Sequence, residues 1–429
     1  MIIYVFLFFF LNSINLLALD VEEVISERNV KAWIVEDNSV PIISMNITFK
    51  GGAYFDAFGK EGTSTFVAAL LDEGAGSLTS KEFKDEMSKL GMKLDFRSSK
   101  DELSVSFQTI SKNKKKSFKL LRSALIEPRF DSEEIEKIRN QIISSIKIKE
   151  SNLRSFSSQQ FEKNFYLDHK FSRNVEGSLK SIKDIKKTDL EEYQRKNFTK
   201  SNLIVGISGD ISKSEMKEQL DVIFGDLPKG DEKNFFINEI KDVRAGELKI
   251  KKKSPQTSVI FGHNGFHRND EKYFAARIAN YVLGGGGFQS KLYKKIREEN
   301  GLVYSIYSYL LPNAAGGIIL GGFQTKNENV NTTLDLLKKE WLNIKEKGIT
   351  QEELNNAKSY FIGSFSRSFS STKSIAALLN TVQTYKLGID YFDRRSKIIE
   401  DLTLSFVNKV CKDFFRPNEL FFTIVGDIS

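Results

Sequence analysis

The spacing of apolar and polar residues changes its period several times along this chain. Short runs at residues 30–35 and 42–49 are rich in β-branched and aromatic side chains, which is typical of strands. A helical spacing follows near residues 61–74, and residues 94–96 and 103–107 then alternate like a strand pair. Hairpin-like pairs mixed with helices predict an α+β fold in which helices cover a sheet.

The second half of the chain repeats this order of elements. Its apolar pattern predicts a strand at residues 258–261, a helix near 273–283 and strands near 304–311 and 317–323. Two further helices are predicted to start at Asn331 and Thr350. Capping boxes mark two helix starts, because Thr79 precedes Glu82 and Thr350 precedes Glu353 by three positions. Asp131 with Glu134 predicts a similar cap for a long helix.

A direct sequence repeat supports two related halves. Residues 184–212 and 401–429 share a helical pattern, a polar turn and a short apolar strand, and both end in Gly-Asp-Ile-Ser. A duplication on this scale predicts two homologous domains. We place them at residues 19–227 and 248–429, with a polar linker at residues 228–247.

Composition and charge limit the cellular location and the classes of binding partner that we predict. The uninterrupted apolar core at residues 2–11 is too short to span a bilayer comfortably, which predicts a signal peptide at residues 1–18 and a periplasmic protein. A retained N-terminal membrane anchor is the alternative. No other stretch approaches spanning length. The formal charge is +8, and the lysine runs lack interleaved aromatic residues, so we predict solvated faces and no nucleic-acid partner.

The segment 283–304 reads LGGGGFQSKLYKKIREENGLVY. Its four glycines let a backbone or ligand approach closely. The segment resembles the pattern L-G-G-G-x-x-S-x-L-x-x-x-[IL]-R-E-x-x-G-L-x-Y of the insulinase, pitrilysin and mitochondrial processing peptidase family. The resemblance extends over residues 25–429 and implies two α/β-roll domains, which would close with a partner as a clam shell around an extended peptide.

The same resemblance assigns roles to particular residues. It implies that Arg297 and Tyr304 meet the substrate near the scissile bond, where an Arg fork holds carbonyls and a Tyr hydroxyl donates to the developing oxyanion. The alternative is an Arg paired with Glu298 or Glu299 and a Tyr in the sheet core. The implied substrate-binding residues are Gly284, Gly285, Gly286, Gly287 and Phe288.

The zinc site of the family is missing from this sequence. Its H-x-x-E-H motif falls on residues 65–69, where Thr65 and Ala69 replace the two His and Ala68 replaces the catalytic Glu. The family's later E-E-I becomes Ser144-Ser145-Ile146, so the third ligand is also absent. We therefore predict no metal site in this chain.

Other candidate ligands offer no replacement for that zinc site. His263 and His267 are four apart, but the sequence around them predicts a strand running into a loop and a loop or surface role. His169 is expected to be structural, and Asp72 with Glu73 is expected to form a solvated helix end.

These features predict a non-catalytic, substrate-binding subunit of a heterodimeric zinc metallopeptidase. Arg297 and Tyr304 would serve the site of a homologous partner, and that partner would hold the zinc. Extended peptides would bind mainly through main-chain hydrogen bonds. The alternative is an inactive peptide-binding or scaffolding homodimer. A self-sufficient peptidase would need a metal site that this sequence does not offer.

Overall fold

The computed structural model describes residues 19–428. The predicted signal peptide, residues 1–18, and its alternative as a membrane anchor lie outside this range. Two large β-sheets form the centre of the protein, one in each half of the chain, and helices cover them. The predicted α+β class, with two domains of sheet covered by helices, is confirmed.

Thirteen strands are numbered in chain order within the described range. They are β1 Glu22–Ile25, β2 Lys31–Glu36, β3 Ile42–Lys50, β4 Gly74–Ala75, β5 Leu78–Thr79, β6 Lys93–Ser98, β7 Glu102–Ile110, β8 Leu203–Gly209, β9 Gly246–Lys251, β10 Gln256–Asn264, β11 Val303–Asn313, β12 Gly316–Lys326 and β13 Phe421–Gly426.

Fourteen α-helices are numbered in the same way. They are α1 Thr63–Leu70, α2 Ser80–Leu90, α3 Lys114–Ile126, α4 Ser132–Ser151, α5 Leu153–Phe165, α6 Leu179–Asp184, α7 Lys187–Asn197, α8 Lys213–Phe224, α9 Tyr273–Asn280, α10 Val330–Lys347, α11 Gln351–Gly363, α12 Thr372–Thr384, α13 Tyr391–Glu400 and α14 Leu404–Phe414. Two π-helical turns, Tyr281–Gly285 and Tyr293–Glu298, lie between α9 and β11.

The two sheets share one topology over five strands, and β1 is an additional strand at the edge of the first sheet. The first has the order β1-β2-β8-β3-β7-β6, and the second has the order β11-β12-β10-β13-β9. In each, one parallel pair (β2 with β8, β9 with β13) is followed by antiparallel neighbours in the same sequence. The repeated Gly-Asp-Ile-Ser begins at the last residue of β8 and of β13. The strands therefore repeat in the same spatial order as the sequence.

The two halves exchange one helix each. α12 belongs to the second half but packs on β8 and β3 of the first sheet. It approaches so closely that a Cβ at Gly206 of β8 would lie 2.3 Å from the carbonyl oxygen of Ala376. Side-chain hydrogen bonds fix the contact: Thr48 Oγ1 donates to Asn380 Oδ1 at 3.0 Å, and Asn380 Nδ2 donates to the carbonyl oxygens of Asn46 and Ile204.

α5 makes the reciprocal contact from the first half. It packs on β13 and β10 of the second sheet, where Phe161 and Phe165 lie against Phe421 with ring centroids 5.5 and 6.4 Å apart. Adding the repeat offset to the position of α5 gives the position of α12, so the exchange follows the duplication. Strands β8 and β13 are consequently buried on both faces.

The segment between the two halves, predicted as a linker at residues 228–247, overlaps the first residues of β9. Before β9 it contains one short 3-10 helix, Glu232–Phe235, and is held in place by both halves. Asn238 N donates to Tyr54 Oη, and Ile240 N donates to the carbonyl oxygen of Ala315. The exact domain boundaries stay a prediction.

Local signals in the sequence locate several helix starts correctly. The capping boxes at Thr79 with Glu82 and at Thr350 with Glu353 are both formed. The prediction for Asp131 is wrong in its chemistry: Asp131 is the N-cap residue of α4, but its carboxylate pairs with Arg129 at 2.6 Å and accepts no backbone hydrogen bond there. The strong guanidinium partner outcompetes the helix terminus.

Crossing a bilayer requires a long apolar helix, and no helix among residues 19–428 meets that requirement.

The exchanged helix generates a stability prediction. Asn380→Ala removes a buried amide from between β3 and β8 and leaves Thr48 without its acceptor, so we expect the free energy of unfolding to fall by about 2 kcal/mol. Urea denaturation measures the change. Asn355→Ala, at an exposed position of α11, applies the same change in helix propensity and should alter stability by less than about 0.5 kcal/mol. Equal effects of the two substitutions would contradict a stabilising role for the exchange.

Candidate functional site

The segment that resembles the zinc motif forms α1, and buried groups fix the start of this helix. Asp56 accepts hydrogen bonds from the backbone N–H groups of Gly62 and Ser64 at 2.7 and 2.9 Å. Burial raises the pKa of Asp56 to about 7, although these hydrogen bonds lower it. Sequence reasoning missed Asp56, because its role depends on the turn that brings it back to the helix start.

Two of the positions that correspond to zinc ligands, Thr65 and Ser145, contact the same short segment, residues 175–176. Thr65 Oγ1 donates to the carbonyl oxygen of Val175 at 2.7 Å, and Ser145 Oγ of α4 donates to Glu176 Oε1 at 3.2 Å. Ser144 instead bonds the carbonyl oxygen of Asn140 on its own helix and is exposed. The structure therefore selects Ser145, rather than Ser144, as the position nearest the site.

Zinc does not fit these residues. A catalytic zinc ion takes three nitrogen, sulfur or carboxylate ligands and an open position. Thr65 and Ser145 offer hydroxyl groups that are already engaged in hydrogen bonds, while Ala68 and Ala69 offer only methyl groups. Within residues 19–428, no group of three or more His, Cys, Asp or Glu side chains is arranged to hold a metal ion.

The prediction of a solvated helix end for Asp72 and Glu73 is wrong for Glu73. Its side chain is only 8% exposed and forms ion pairs with Lys84 at 2.6 Å and Lys137 at 2.9 Å. Burial alone would raise the pKa of Glu73, but hydrogen bonds from Lys84, Ser80 and Lys137 bring it to about 2. The two lysines come from α2 and α4, so Glu73 ties α1 to both helices.

The expected surface role of His263 is also wrong. His263 lies inside β10 and is fully buried, because the strand continues three residues beyond the predicted end. Its Nδ1 lies 2.7 Å from the carbonyl oxygen of Asn264, and Trp341 Nε1 donates to its Nε2. Burial lowers the pKa of His263 to about 3, so this imidazole stays neutral and structural.

The structure agrees with the loop or surface position predicted for His267 and with the structural role predicted for His169. His267 is partly exposed, outside any helix, and lies 3.7 Å from a carboxylate oxygen of Glu239. His169 is structural, because its Nδ1 accepts from Phe171 N and its Nε2 bonds the carbonyl oxygen of Asn238.

Arg297 and Tyr304 are brought together by a helix end. Arg297 lies in the π-helical turn Tyr293–Glu298, a type of turn that is frequent at functional sites. Gly301 N donates to the carbonyl oxygen of Arg297, Leu302 N donates to that of Ile296, and Gly301 has φ +62°. The bond from Gly301 N to the carbonyl oxygen of Arg297, with Gly301 in the left-handed region, is an αL helix cap. It reverses the chain and starts β11 beside the arginine.

The two side chains contact each other at the protein surface. The guanidinium of Arg297 lies 4.7 Å from the ring centroid of Tyr293 and 5.4 Å from that of Tyr304. Tyr304 is 86% exposed, so it is not part of a sheet core. Within the described chain Arg297 forms no ion pair with Glu298 or Glu299; Glu299 pairs with Lys295 instead. Both parts of the alternative interpretation are wrong.

The glycine-rich segment has a buried end and an exposed end. A Cβ at Gly284 would lie 2.4 Å from Ser308 Oγ of β11, so this glycine lets the turn pack on the strand. Gly287 has φ +58° with open space around it, and Phe288 is 70% exposed. Among the predicted substrate-binding residues, those from Gly285 to Phe288 therefore lie at the surface, and Gly284 is buried.

The strand next to these residues is an edge. β11 pairs with β12 on one side, and its other side is open within the described chain. Tyr307 and Tyr309 lie on one face of it, with ring centroids 5.2 Å apart. Arg154, from α5 of the other half, donates to Tyr307 Oη at 2.7 Å. Sequence reasoning missed Arg154, since no local signal pairs residues so far apart.

Sequence comparison establishes the class of protein that carries this fold and this surface. The model of the insulinase family, peptidase family M16, matches residues 32–178, and the model described as the peptidase M16 inactive domain matches residues 184–361. The chain belongs to the M16 family, as its glycine-rich and Arg/Tyr segment indicated. It is a member whose own motif positions carry no zinc ligands.

Two curated relatives are similar over most of their length. The chain is 26% identical to the non-peptidase homolog YmxG of Helicobacter pylori, over 94% of this chain and 93% of that protein. It is 24% identical to the uncharacterized zinc protease YmxG of Bacillus subtilis, over 81% of this chain and 84% of that protein. The coarser part of the predicted function, an M16 protein of the non-catalytic type, is supported.

Solved structures share the fold over the whole described chain. A peptidase M16 inactive domain from Pseudomonas fluorescens superimposes with a TM-score of 0.90 at 25% identity, covering 95% of this chain and 98% of that one. A protease from Helicobacter pylori gives 0.85 at 18% identity, covering 95% and 99%. A chain of complex III from Candida albicans gives 0.77 at 14% identity, covering 94% and 95%.

The role of the missing zinc ligands can be tested by restoring the motif residues. Thr65→His, Ala68→Glu, Ala69→His and Ser145→Glu together should produce near-stoichiometric zinc binding, because two ligands four apart on α1 share a face toward α4. Elemental analysis after dialysis measures the metal. The matched variant with Ser144→Glu in place of Ser145→Glu should bind zinc at least about tenfold more weakly, since Ser144 is exposed to solvent. Stoichiometric zinc in the unmodified chain would contradict this account of the site.

The buried Glu73 predicts a pH-dependent contribution to stability. Its pKa falls from 4.5 to about 2 on folding, so the ionised form is favoured in the folded state. Its stabilisation is complete above pH 4.5 and is lost as the pH falls toward 2. Glu73→Gln should lower the free energy of unfolding by on the order of 2 kcal/mol near neutral pH, and less at each step below pH 4.5. Urea titrations of both proteins across this range test it, and a difference independent of pH would refute it.

Proposed function

We propose that this protein is the non-catalytic, substrate-binding subunit of a heterodimeric M16 zinc metallopeptidase. The observation that carries the proposal is an oxyanion-type donor without a metal site in its own chain. Tyr304 exposes its hydroxyl beside Arg297, while the positions of the zinc ligands hold Thr65, Ala69 and Ser145. A donor pair at the surface has a chemical purpose if a second chain supplies the metal-bound water.

The substrate is an extended peptide that adds to the open edge of β11. An edge strand presents unpaired N–H and C=O groups, and such pairing reads main chain rather than sequence. The exposed segment from Gly285 to Phe288 lies beside this edge, because Gly284 is packed on Ser308. Selectivity for peptide sequence is therefore loose along β11 itself.

The partner is a homologous subunit with an intact H-x-x-E-H motif, and it holds the zinc. The two chains close around the peptide as a clam shell. In support, this protein has both family domains and an Arg/Tyr pair at its surface, but the residues at its zinc-motif positions cannot bind zinc. The similar chain of known structure from Candida albicans is part of a larger complex. We propose a periplasmic location for the assembly, with cleavage after residue 18, because the apolar segment at the N-terminus is typical of a signal peptide.

The first experiment identifies the partner. The full-length chain is tagged at its C-terminus, recovered from its native host at low salt, and its companions are identified by mass spectrometry. We expect a near-stoichiometric protein of similar size that carries H-x-x-E-H. Recovery of the chain alone, or paired only with itself, would overturn the heterodimer and favour the inactive peptide-binding or scaffolding homodimer.

The donor role of Tyr304 is tested in the assembled complex. Tyr304→Phe keeps the ring beside Arg297 but removes the hydroxyl, so kcat for peptide cleavage should fall by about a hundredfold while KM changes little. Glu298→Gln is the control, because this exposed neighbour of Arg297 has no assigned role and should leave both constants unchanged. An unchanged kcat in Tyr304→Phe would contradict an active site shared between the two subunits.

A further inference from the structure

A second feature of the same region is a cavity of about 620 Å³ beside the open end of β11. Its wall includes residues 309–312 of β11, Gly285 of the glycine-rich segment, and side chains from α9, α11, α12 and α13. The volume falls in the range of sites that bind small molecules or several side chains. The cavity therefore continues directly from the surface where a peptide is proposed to lie.

Four arginines line this cavity: Arg268, Arg277, Arg367 and Arg395. No Asp, Glu or Lys contributes to its wall. Within residues 19–428, none of the four arginines forms an ion pair with a carboxylate. The neighbouring Arg394 differs, because it pairs with Asp390 at 2.9 Å and lies outside the cavity wall. Positive charge is thus concentrated in the wall of this cavity, whereas the carboxylates of Asp101 and Glu102 lie in a neighbouring cavity that shares Arg268 and Tyr385.

Aromatic rings hold three of these arginines in place. The guanidinium of Arg268 lies 4.3 Å from the ring centroid of Tyr273, that of Arg277 lies 4.8 Å from Phe361, and that of Arg395 lies 4.0 Å from Phe365. Such stacking fixes the plane of a guanidinium and leaves its N–H edge free to donate. The rings orient the charges but do not neutralise them.

The deepest arginine bears the greatest electrostatic cost. Arg395 is 4% exposed and donates to the carbonyl oxygen of Phe361 at 3.2 Å. Burial lowers the pKa of Arg395, and the charges of Arg277 and Arg268 lower it further. A buried cation among like charges is costly unless an anion pairs with it. An anionic ligand would remove that cost.

We propose that this cavity binds the carboxylate side chains of an acidic segment in the peptide that lies along β11. The inference rests on the proposed peptide-binding function and adds a substrate class to it. Planar guanidinium forks match carboxylates in a bidentate manner. The wall of the cavity includes the last residues of β11 and Gly285, beside the edge to which a strand would add. The edge of β11 then supplies affinity for main chain, and the cavity supplies preference for Glu or Asp.

The test compares two fluorescent peptides of equal length, one rich in glutamate and one with glutamine at the same positions. Binding is followed by anisotropy with the full chain at fixed ionic strength. We expect the acidic peptide to bind at least about tenfold more tightly. Arg277→Gln with Arg367→Gln should bring the two affinities within about threefold. Arg277 is partly exposed and Arg367 is exposed, so we expect both substitutions to leave the fold intact. Arg367→Gln alone should give an intermediate loss.

A charge-matched control separates the cavity from net charge. Arg28→Gln with Arg97→Gln removes the same number of charges from surface positions that are 54% and 78% exposed, and should preserve the preference. Equal binding of both peptides to the unmodified protein would overturn the acidic preference and leave peptide binding intact. Binding of neither peptide would overturn the acidic preference and peptide binding by this chain, while the heterodimer is tested separately by recovery of the partner. If inorganic phosphate binds in the cavity and the two peptides bind equally, the cavity is a site for small anions. That outcome would overturn the proposal that it binds acidic peptide side chains.

Discussion

The reciprocal exchange of helices is the contact on which the rest of this structure depends. Each sheet has one face covered by helices of its own half and the other face covered by a helix of the opposite half, α12 in one case and α5 in the other. Strands β8 and β13 can be apolar on both faces for this reason. Neither sheet would be fully covered if the halves separated, so the two domains form a single folding unit.

The exchange also shapes the candidate site. α5 brings Arg154 from the first half onto Tyr307 of β11, and α12 brings residues 378 and 381 to the wall of the arginine-lined cavity. The surface around β11 is therefore assembled from both halves, although its recognisable motif lies in one. The first half lacks the family's zinc ligands at the motif positions, but it contributes Arg154 to this surface.

The sequence predicted those features that depend on neighbours along the chain. The helix caps at Thr79 and Thr350 follow from a four-residue pattern. The duplication followed from a repeated tetrapeptide. The roles of Arg297 and Tyr304 rest on the resemblance of a continuous motif and stay a prediction. Features that depend on burial were mispredicted: Glu73 and His263 look polar in sequence, but ion pairs and hydrogen bonds from distant residues satisfy them inside the protein. The exchanged helices and the arginine cavity were not anticipated, because each requires knowledge of which elements meet in space.

The open edge of β11 has a further consequence for the life of the protein before assembly. An exposed strand edge can recruit any extended chain, including the same edge of a second copy, and natural proteins commonly block such edges with charge, proline or a bulge. β11 has an irregularity near Val303 and a proline, Pro312, near its other end, but Tyr304, Tyr309 and Leu311 remain exposed between them. A chain held without a binding partner therefore carries a latent route to aggregation, and occupation of this edge would protect the fold as well as position a peptide.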